Sequence, residues 1–346
     1  MNKHMQEGQS VNDRAVELLE QYDIEVVRTR KGRGAIVCDT TDGCLIFKEY
    51  SGNEERAGLQ NKLLQRIAAA GKVQTESIVP TKEGGLFVKD GDGTAYILKT
   101  WQDGRECSIS ERGECVQAVK LLARLHESME LPADEAGTFA VFSSEKEYEK
   151  HNREIRKVKK YLKQKGQKQP FEISLLGACD YFLEQALEVT EEFKQYAEAF
   201  HKREAEAEKT GNVTFCHGDY QYHNILMGPD GWFVVNFEKC LPDHPVRDLY
   251  LLLRKLLEKG NWSTAIGLEL LQAYGKERPL SAEDRIELYY RLAYPEKFWK
   301  IANFYYNSGK AWIPGKNQEK LEKLIAQEKE KQRFLNEVFR DVGSSL

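Results

Sequence analysis

Val213-Thr-Phe-Cys-His217-Gly218-Asp219-Tyr-Gln-Tyr-His223-Asn224-Ile-Leu-Met-Gly-Pro-Asp-Gly231-Trp-Phe-Val-Val-Asn236-Phe237-Glu238 is the stretch whose reading decides the fold. An apolar strand enters a polar loop. A strand over 224–227 then meets the tight turn Gly228-Pro-Asp-Gly231, and a second strand over 232–237 returns. If the turn centres on Asp230, Asn224 and Asn236 oppose each other, and directly opposed residues hold their Cβ atoms ~4.5–5.5 Å apart. Two oxygen-bearing side chains at that spacing could grip one divalent cation. Asp219, at the head of the loop, would lie beside the same cleft and could accept a proton from an alcohol. A carboxylate for the nucleophile and oxygen ligands for magnesium are the parts phosphoryl transfer requires.

On the N-terminal side, the residues predict a short helix at 11–22, then strands at 24–30, 34–41 and 44–50. Asp42-Gly43 between the last two is a hairpin signal, because both residue types tolerate positive φ. A helix from Asn53 to Ala70, stopped by Gly71, carries the apolar stripe Leu63, Leu64, Ile67. Strands at 86–89 and 94–100 complete a first region that is mostly sheet plus one helix. Ser108-x-x-Glu111 reads as a capping box opening a helix to about Ser128, and Ser144-x-x-Glu147 as another. Residues 145–210 are dense in Lys and Glu with apolar positions at helical spacing, the pattern of long helices with solvated faces. Beyond the β-rich island, helices are expected at 246–259, 263–274, 282–292, 296–307 and 318–339. The predicted class is therefore α+β with two lobes, the layout of a protein kinase. The β-rich N-lobe covers 1–102 and the helical C-lobe 103–346, with the catalytic-loop hairpin at 213–238.

The chain has 346 residues, 41% of them hydrophobic, and a net charge of −4. No broad basic field is available, so nucleic acid is not an expected partner. Seven scattered cysteines with no C-x-x-C spacing argue against zinc and disulfides and for a reducing compartment. Residues 1–14 are polar, and no run of ~18 apolar residues occurs, so neither a secretory signal nor a membrane span is expected.

The string His217-Gly-Asp-x-x-x-x-Asn224, followed by a short hairpin and Asn236-Phe-Glu238, resembles the catalytic and metal loops of the aminoglycoside phosphotransferase and choline kinase superfamily. The resemblance implies a catalytic loop with Asp219 and His217, metal ligands at Asn224, Asn236 and Glu238, and ATP with Mg2+ as cofactors. Lys48, inside the apolar strand Leu45-Ile-Phe-Lys-Glu-Tyr50, resembles the strand lysine that contacts ATP phosphates; on an edge strand it could instead snorkel. The run 96–101, ending in Thr100 and Trp101, resembles the hinge strand that meets adenine. Lys31-Gly-Arg-Gly34 reads equally as a phosphate cover or an ordinary turn. Leu122-Ala-Arg-Leu-His126 resembles the superfamily's C-lobe helix, with His126 structural, and Asp248 resembles its bracing aspartate.

Two parts depart from an active kinase. The metal loop begins with Asn236 where Asp is usual, which leaves two neutral amides where magnesium favours a carboxylate. Glu238 would lie roughly 6.8 Å further along a regular strand and could serve only if the strand bends. Gln60 occupies the helix position where a glutamate partner for Lys48 is expected, with Glu54 and Glu55 as substitutes.

This combination resembles the CotS-type spore coat proteins, on His217-Gly-Asp-Tyr-x-Tyr-His-Asn224, Val235-Asn-Phe-Glu-Lys-Cys240, Val246-Arg-Asp-Leu-Tyr250 and Tyr294-Pro-Glu-Lys-Phe-Trp-Lys300. It implies synthesis in the mother-cell cytosol, deposition on the spore coat, and other coat proteins as partners. Three functions stay open: a coat-assembly protein with weak or absent catalysis, an ATP-dependent small-molecule kinase with a hydroxyl acceptor, and a regulatory nucleotide-binding module. The aromatic segment Tyr289–Trp312 reads as core or as a docking patch.

Overall fold

The computed structural model describes residues 17–32, 34–136, 144–206, 211–308 and 315–343. The architecture is two-lobed α+β: a β-rich N-terminal region with one helix, then a largely helical C-terminal region. Two compact units emerge, Met1–Phe139 with Asn212–Pro242, and Ala140–Gly211 with Asp243–Leu346.

In the first unit, β1 (Val26–Gly32), β2 (Ala35–Thr40) and β3 (Gly43–Glu49) run antiparallel, and α1 (Glu54–Ala70) follows. β4 (Gln74–Thr75), β5 (Val88–Lys89) and β6 (Ala95–Thr100) come next, and one sheet has the order β1-β2-β3-β6-β5. The α1 boundaries obey the expected chemistry. The Asn53 side chain accepts the Arg56 N–H at 2.9 Å, and Gly71 takes the left-handed conformation at φ 64°. One face of the sheet packs Cys38, Leu45, Phe47 and Leu98 against Leu18, Leu19 and Tyr22. Residues 17–19 are helical; the remainder of the helix predicted at 11–22 reaches into residues outside those described.

β7 (Arg105–Glu106), α2 (Arg112–His126), β8 (Glu130–Pro132), β9 (Asn212–Cys216), β10 (Ile225–Gly228), β11 (Gly231–Val234) and β12 (Leu241–Pro242) complete this unit. The order β4-β11-β10-β7 makes the second sheet. The second unit holds α3 (Ser144–Gln164), α4 (Pro170–Glu206), α5 (Val246–Lys259), α6 (Thr264–Glu277), α7 (Ala282–Ala293), α8 (Glu296–Asn307) and α9 (Gly315–Val338). Its aromatic segment is mainly core: Tyr290, Tyr294, Phe298 and Tyr305 are buried and Phe304 is exposed, while Trp312 lies outside the described residues. Among the described residues no helix is long and apolar enough to cross a membrane.

Two local expectations need correction. Ser108 and Glu111 form no capping box: Glu111 N–H bonds the Ser108 carbonyl at 3.1 Å in a preceding turn, and α2 starts only at Arg112. Of Lys31-Gly-Arg-Gly34, Lys31 and Gly32 end β1, Gly32 pairs with Ala35 and Gly34 is in a turn, in keeping with the turn reading, while Arg33 lies outside the described residues. The hairpin register is shifted by one. Gly228 pairs with Gly231 across a two-residue turn, so Ile225 opposes Val234 and Asn224 lies opposite Val235. The turn is centred between Pro229 and Asp230, and β11 ends at Val234.

Candidate functional site

A one-residue slip in a regular strand sends a side chain to the opposite face. Asn236 escapes that fate because it is not in a strand. Its backbone is left-handed, φ 69° and ψ 55°, a region where Asn is the best tolerated residue after Gly. The turn swings its amide back, and Nδ2 donates to Asn224 Oδ1 at 2.8 Å. The two amides meet as the sequence predicts, by a different route. Residues 237–239 then form a short 3-10 turn, which supplies the bend Glu238 needs.

Glu238 uses that bend to meet ammonium groups. Lys48 Nζ lies 2.9 Å from Glu238 Oε1 and donates to Asn236 Oδ1, also at 2.9 Å. Lys99 Nζ reaches the same Glu238 oxygen and lies 2.8 Å from Glu76 Oε1. The two lysines share a face of the sheet because Lys48 opposes Ile97 and Lys99 opposes Ile46. Glu76 finishes the network: Oε2 accepts the Asn236 N–H at 2.9 Å and Oε1 the Phe237 N–H at 3.0 Å. Burial pushes the Glu238 carboxyl up, but the charges and hydrogen bonds of Lys99 and Lys48 win and bring it down to about 2. Burial likewise opposes the charge on Lys99, and the carboxylates of Glu76 and Glu238 more than restore it.

The loop at 217–224 is braced separately. His217 is fully buried; its Nδ1 accepts the Asp219 N–H at 3.2 Å, so Nε2 carries the proton and donates to the Val235 carbonyl at 3.0 Å. It ties the loop to the returning strand and presents no ring nitrogen to a substrate. Gly218 has φ 77°, and a Cβ there would lie 2.1 Å from the Lys239 carbonyl oxygen, so only glycine fits. Asn224 Nδ2 donates to the Asp219 carbonyl at 2.8 Å. The Asp219 carboxylate accepts from Gln221 Nε2 at 2.7 Å and from Lys239 Nζ at 2.8 Å.

Thr100 and Trp101 do not join this group. Thr100 opposes Leu45, on the sheet face away from Lys48, and its hydroxyl accepts the Ser77 N–H at 2.8 Å. The Thr100 and Trp101 backbone N–H groups are bonded to Ser77 and Cys44 carbonyls. The Trp101 ring packs on Leu226, Phe233 and Val235. The helix partner of Lys48 is also absent: Glu54 and Glu55 are exposed in the first turn of α1, and buried Gln60 has no hydrogen-bond partner on either amide atom. Arg56 of α1 instead donates to the Glu238 and Cys240 carbonyls at 2.8 and 3.2 Å.

Lys99 and Glu76 were not predicted. Lys99 had the same signal as Lys48, a lysine within an apolar strand, Ala95-Tyr-Ile-Leu-Lys-Thr100. Glu76 had none: Lys99 lies 23 positions on and its two backbone N–H partners about 160 positions away in sequence.

Magnesium needs near-octahedral oxygen ligation with one or two carboxylates. Here Asn224 Oδ1 faces an amide N–H, Asn236 Oδ1 an ammonium, and Glu238 two ammonium groups. Among the described residues no three His, Cys, Asp or Glu side chains converge as a metal cluster. In this arrangement the residues do not fit the metal; Lys48 holds two of the oxygens that would ligate it, on Asn236 and Glu238, and the Asn236 amide holds that of Asn224. The Asp219 carboxylate is instead closed by Gln221 and by Lys239, which is 68% exposed.

The fold is that of known kinases. An aminoglycoside phosphotransferase from Alicyclobacillus acidocaldarius subsp. acidocaldarius DSM 446 superposes with a TM-score of 0.79 at 20% identity, covering 95% of this chain and 96% of that one. A microcompartment-associated aminopropanol kinase gives 0.59 at 13% identity over 93% and 97%. Spectinomycin phosphotransferase gives 0.55 at 14% identity over 92% and 93%. Spore coat protein S of Bacillus subtilis (strain 168) is 30% identical over 126 residues, which span 36% of this chain and 36% of that protein. A family model covers far more, residues 15–338, and by it the chain belongs to the family described as Spore coat putative kinase YutH.

Proposed function

We propose that this chain acts in spore coat assembly as a kinase-fold protein with weak or absent phosphotransferase activity, in a role shared with CotS-type coat proteins. One observation carries the reading: the Lys48 ammonium bonds Asn236 Oδ1 and Glu238, the two groups a metal-bound nucleotide would need. A lysine so engaged is withdrawn from phosphate, and a carboxylate so neutralised is withdrawn from a cation. The network Lys48, Lys99, Glu76 and Glu238 sums to zero formal charge, so it offers little net field to a triphosphate. Synthesis in the mother-cell cytosol followed by deposition on the coat, beside other coat proteins, is the setting that family membership favours.

The test is nucleotide titration by fluorescence or calorimetry with and without magnesium. The wild type is expected to bind ATP weakly and with little dependence on magnesium. Asn236→Asp is expected to bind magnesium–ATP at least tenfold more tightly. Equal magnesium dependence in both proteins sinks this account of the metal loop.

A second reading, an ATP-dependent kinase acting on a small-molecule hydroxyl, is favoured by Asp219. Among the described residues its carboxylate is held only by Gln221 and by the exposed Lys239, an ion pair that solvent competes for. Asp219 would then take the acceptor's proton, with His217 and Asn224 positioning its loop. ATP-dependent turnover that Asp219→Asn abolishes would establish that reading over the first.

A further inference from the structure

The second unit carries a charge feature that neither reading uses. Residues 156–168 contain Arg156, Lys157, Lys159, Lys160, Lys163, Lys165 and Lys168 and no Asp or Glu, in a chain whose net charge is −4. Four of these, Arg156, Lys159, Lys160 and Lys163, line a cavity of about 540 Å³ with Gln164 and Leu183. They recur at helical spacings of three and four on α3, so they form one ridge about 10 Å long. Leu183 of α4, 8% exposed, provides an apolar wall.

Most of this charge is unneutralised. Lys159 pairs with Asp180, and outside the cavity Lys165 pairs with buried Glu172. Among the described residues, Arg156, Lys160 and Lys163 make no ion pair or hydrogen bond. Cations near a helix C-terminus commonly answer the helix dipole, an effect confined to the last turn. That accounts for Lys163, the basic residue of the last turn of α3, and Asp180 answers Lys159, which leaves Arg156 and Lys160 unexplained. Four like charges around one cavity repel one another, and Asp180 forms an ion pair with one of them, Lys159.

We propose that this α3–α4 cavity binds a compact oligophosphate anion. The cavity volume lies within the usual 300–1,000 Å³ range for small-ligand sites. Three of the four cations are lysines, which bind phosphate as point charges, and the arginine fork of Arg156 also matches phosphate oxygens. A ridge of ~10 Å suits two or three linked phosphates and is too short to follow a duplex. Lys160 and Lys163 are exposed and would contact the ligand through their Nζ groups, with Lys159 shared between it and Asp180.

The experiment is calorimetric titration of the full chain with sodium tripolyphosphate at about 50 and 200 mM salt. Saturable one-to-one binding that weakens with salt is expected. The triple variant Arg156→Gln, Lys160→Gln, Lys163→Gln should bind at least tenfold more weakly, and Lys160→Glu alone at least threefold, with thermal unfolding unchanged in the single variant. Lys316→Gln, Lys320→Gln, Lys323→Gln, which removes as many exposed cations from α9, should bind like the wild type. Absence of saturable binding overturns the site, and so does an equal loss in the α9 control. Citrate binding as tightly as tripolyphosphate overturns the phosphate assignment.

Discussion

Two polar segments flank the same hairpin and treat their charge in opposite ways. The loop at 217–224 holds its carboxylate, Asp219, with an amide and an exposed lysine. The turn at 236–238 holds Glu238 with Lys48 and Lys99, the latter fully buried. Both are closed by ammonium groups, but the first rests on exposed Lys239 and the second in part on Lys99, which solvent does not reach. An exposed ion pair is worth little and exchanges readily with water, whereas a buried one is held by the cost of stranding either partner. The lesson is that retained catalytic-loop identities and a retained chemical state are separate properties. On the loop side the chain keeps the residue identities with a carboxylate that solvent reaches, and on the turn side it has Asn236 where Asp is usual and a carboxylate closed by two lysines.

The most forceful way to break the contrast is Lys99→Met. It leaves Glu76 and Glu238 facing each other's environment with one ammonium fewer, and losing one partner of a buried pair typically costs about 3–5 kcal/mol. Chemical denaturation should show a loss of that size. Adding Glu76→Gln to Lys99→Met should recover part of it, since the stranded charge is then gone. A loss below about 1 kcal/mol for Lys99→Met would place the network at the surface in energetic terms and dissolve the comparison.

Acid sharpens it next. The Glu238 carboxyl sits at about 2 in the folded chain against 4.5 ordinarily. Because the folded value is the lower one, the unfolded chain binds the extra proton, so the contribution is complete above about pH 4.5 and fades as pH falls toward 2. The size is on the order of 3 kcal/mol. The stability difference between wild type and Glu238→Gln should therefore be greatest at pH 5 and shrink steadily in more acidic buffer. A difference that is constant between pH 5 and 3 contradicts the ion network as its source.

Gly218→Ala probes the loop's backbone and not its charge. The added Cβ would meet the Lys239 carbonyl at 2.1 Å, on a residue whose φ is 77°. Strain of this kind costs of order 1–3 kcal/mol. Thermal unfolding should show that loss, and the Asp219 carboxylate should be displaced with it.

Much of this was legible in the sequence because it is local. Asn53 and Gly71 mark the ends of α1, and both cap as their chemistry dictates. His217, Asp219 and Asn224 were recognisable as one loop because their spacing lies within eight residues. What was missed depends on distant partners or on one dihedral. Glu76 is an ordinary acid until the metal-loop backbone arrives from about 160 residues away. The turn centre lies between Pro229 and Asp230, half a residue before Asp230, and that half residue shifts the register by one. The shift was cancelled by the left-handed Asn236, a conformation no pattern of neighbours announces. Lys99 was available to the same argument as Lys48, since a buried lysine in an apolar strand demands a carboxylate wherever it stands.

The smallest effect is the most discriminating. Lys239→Ala removes the exposed ammonium that holds Asp219 Oδ2 and should change stability by no more than about 1 kcal/mol. Lys99→Met removes a buried ammonium shared by Glu76 and Glu238 and Lys239→Ala an exposed one held by Asp219, so comparing their effects contrasts the buried network with the exposed pair. If catalysis survives in this chain, freeing Asp219 should also leave turnover unchanged or raise it, since the base no longer has to shed a partner. A Lys239→Ala protein as unstable as Lys99→Met would mean that the loop is locked as firmly as the turn, and the two sides of the hairpin would then be equivalent.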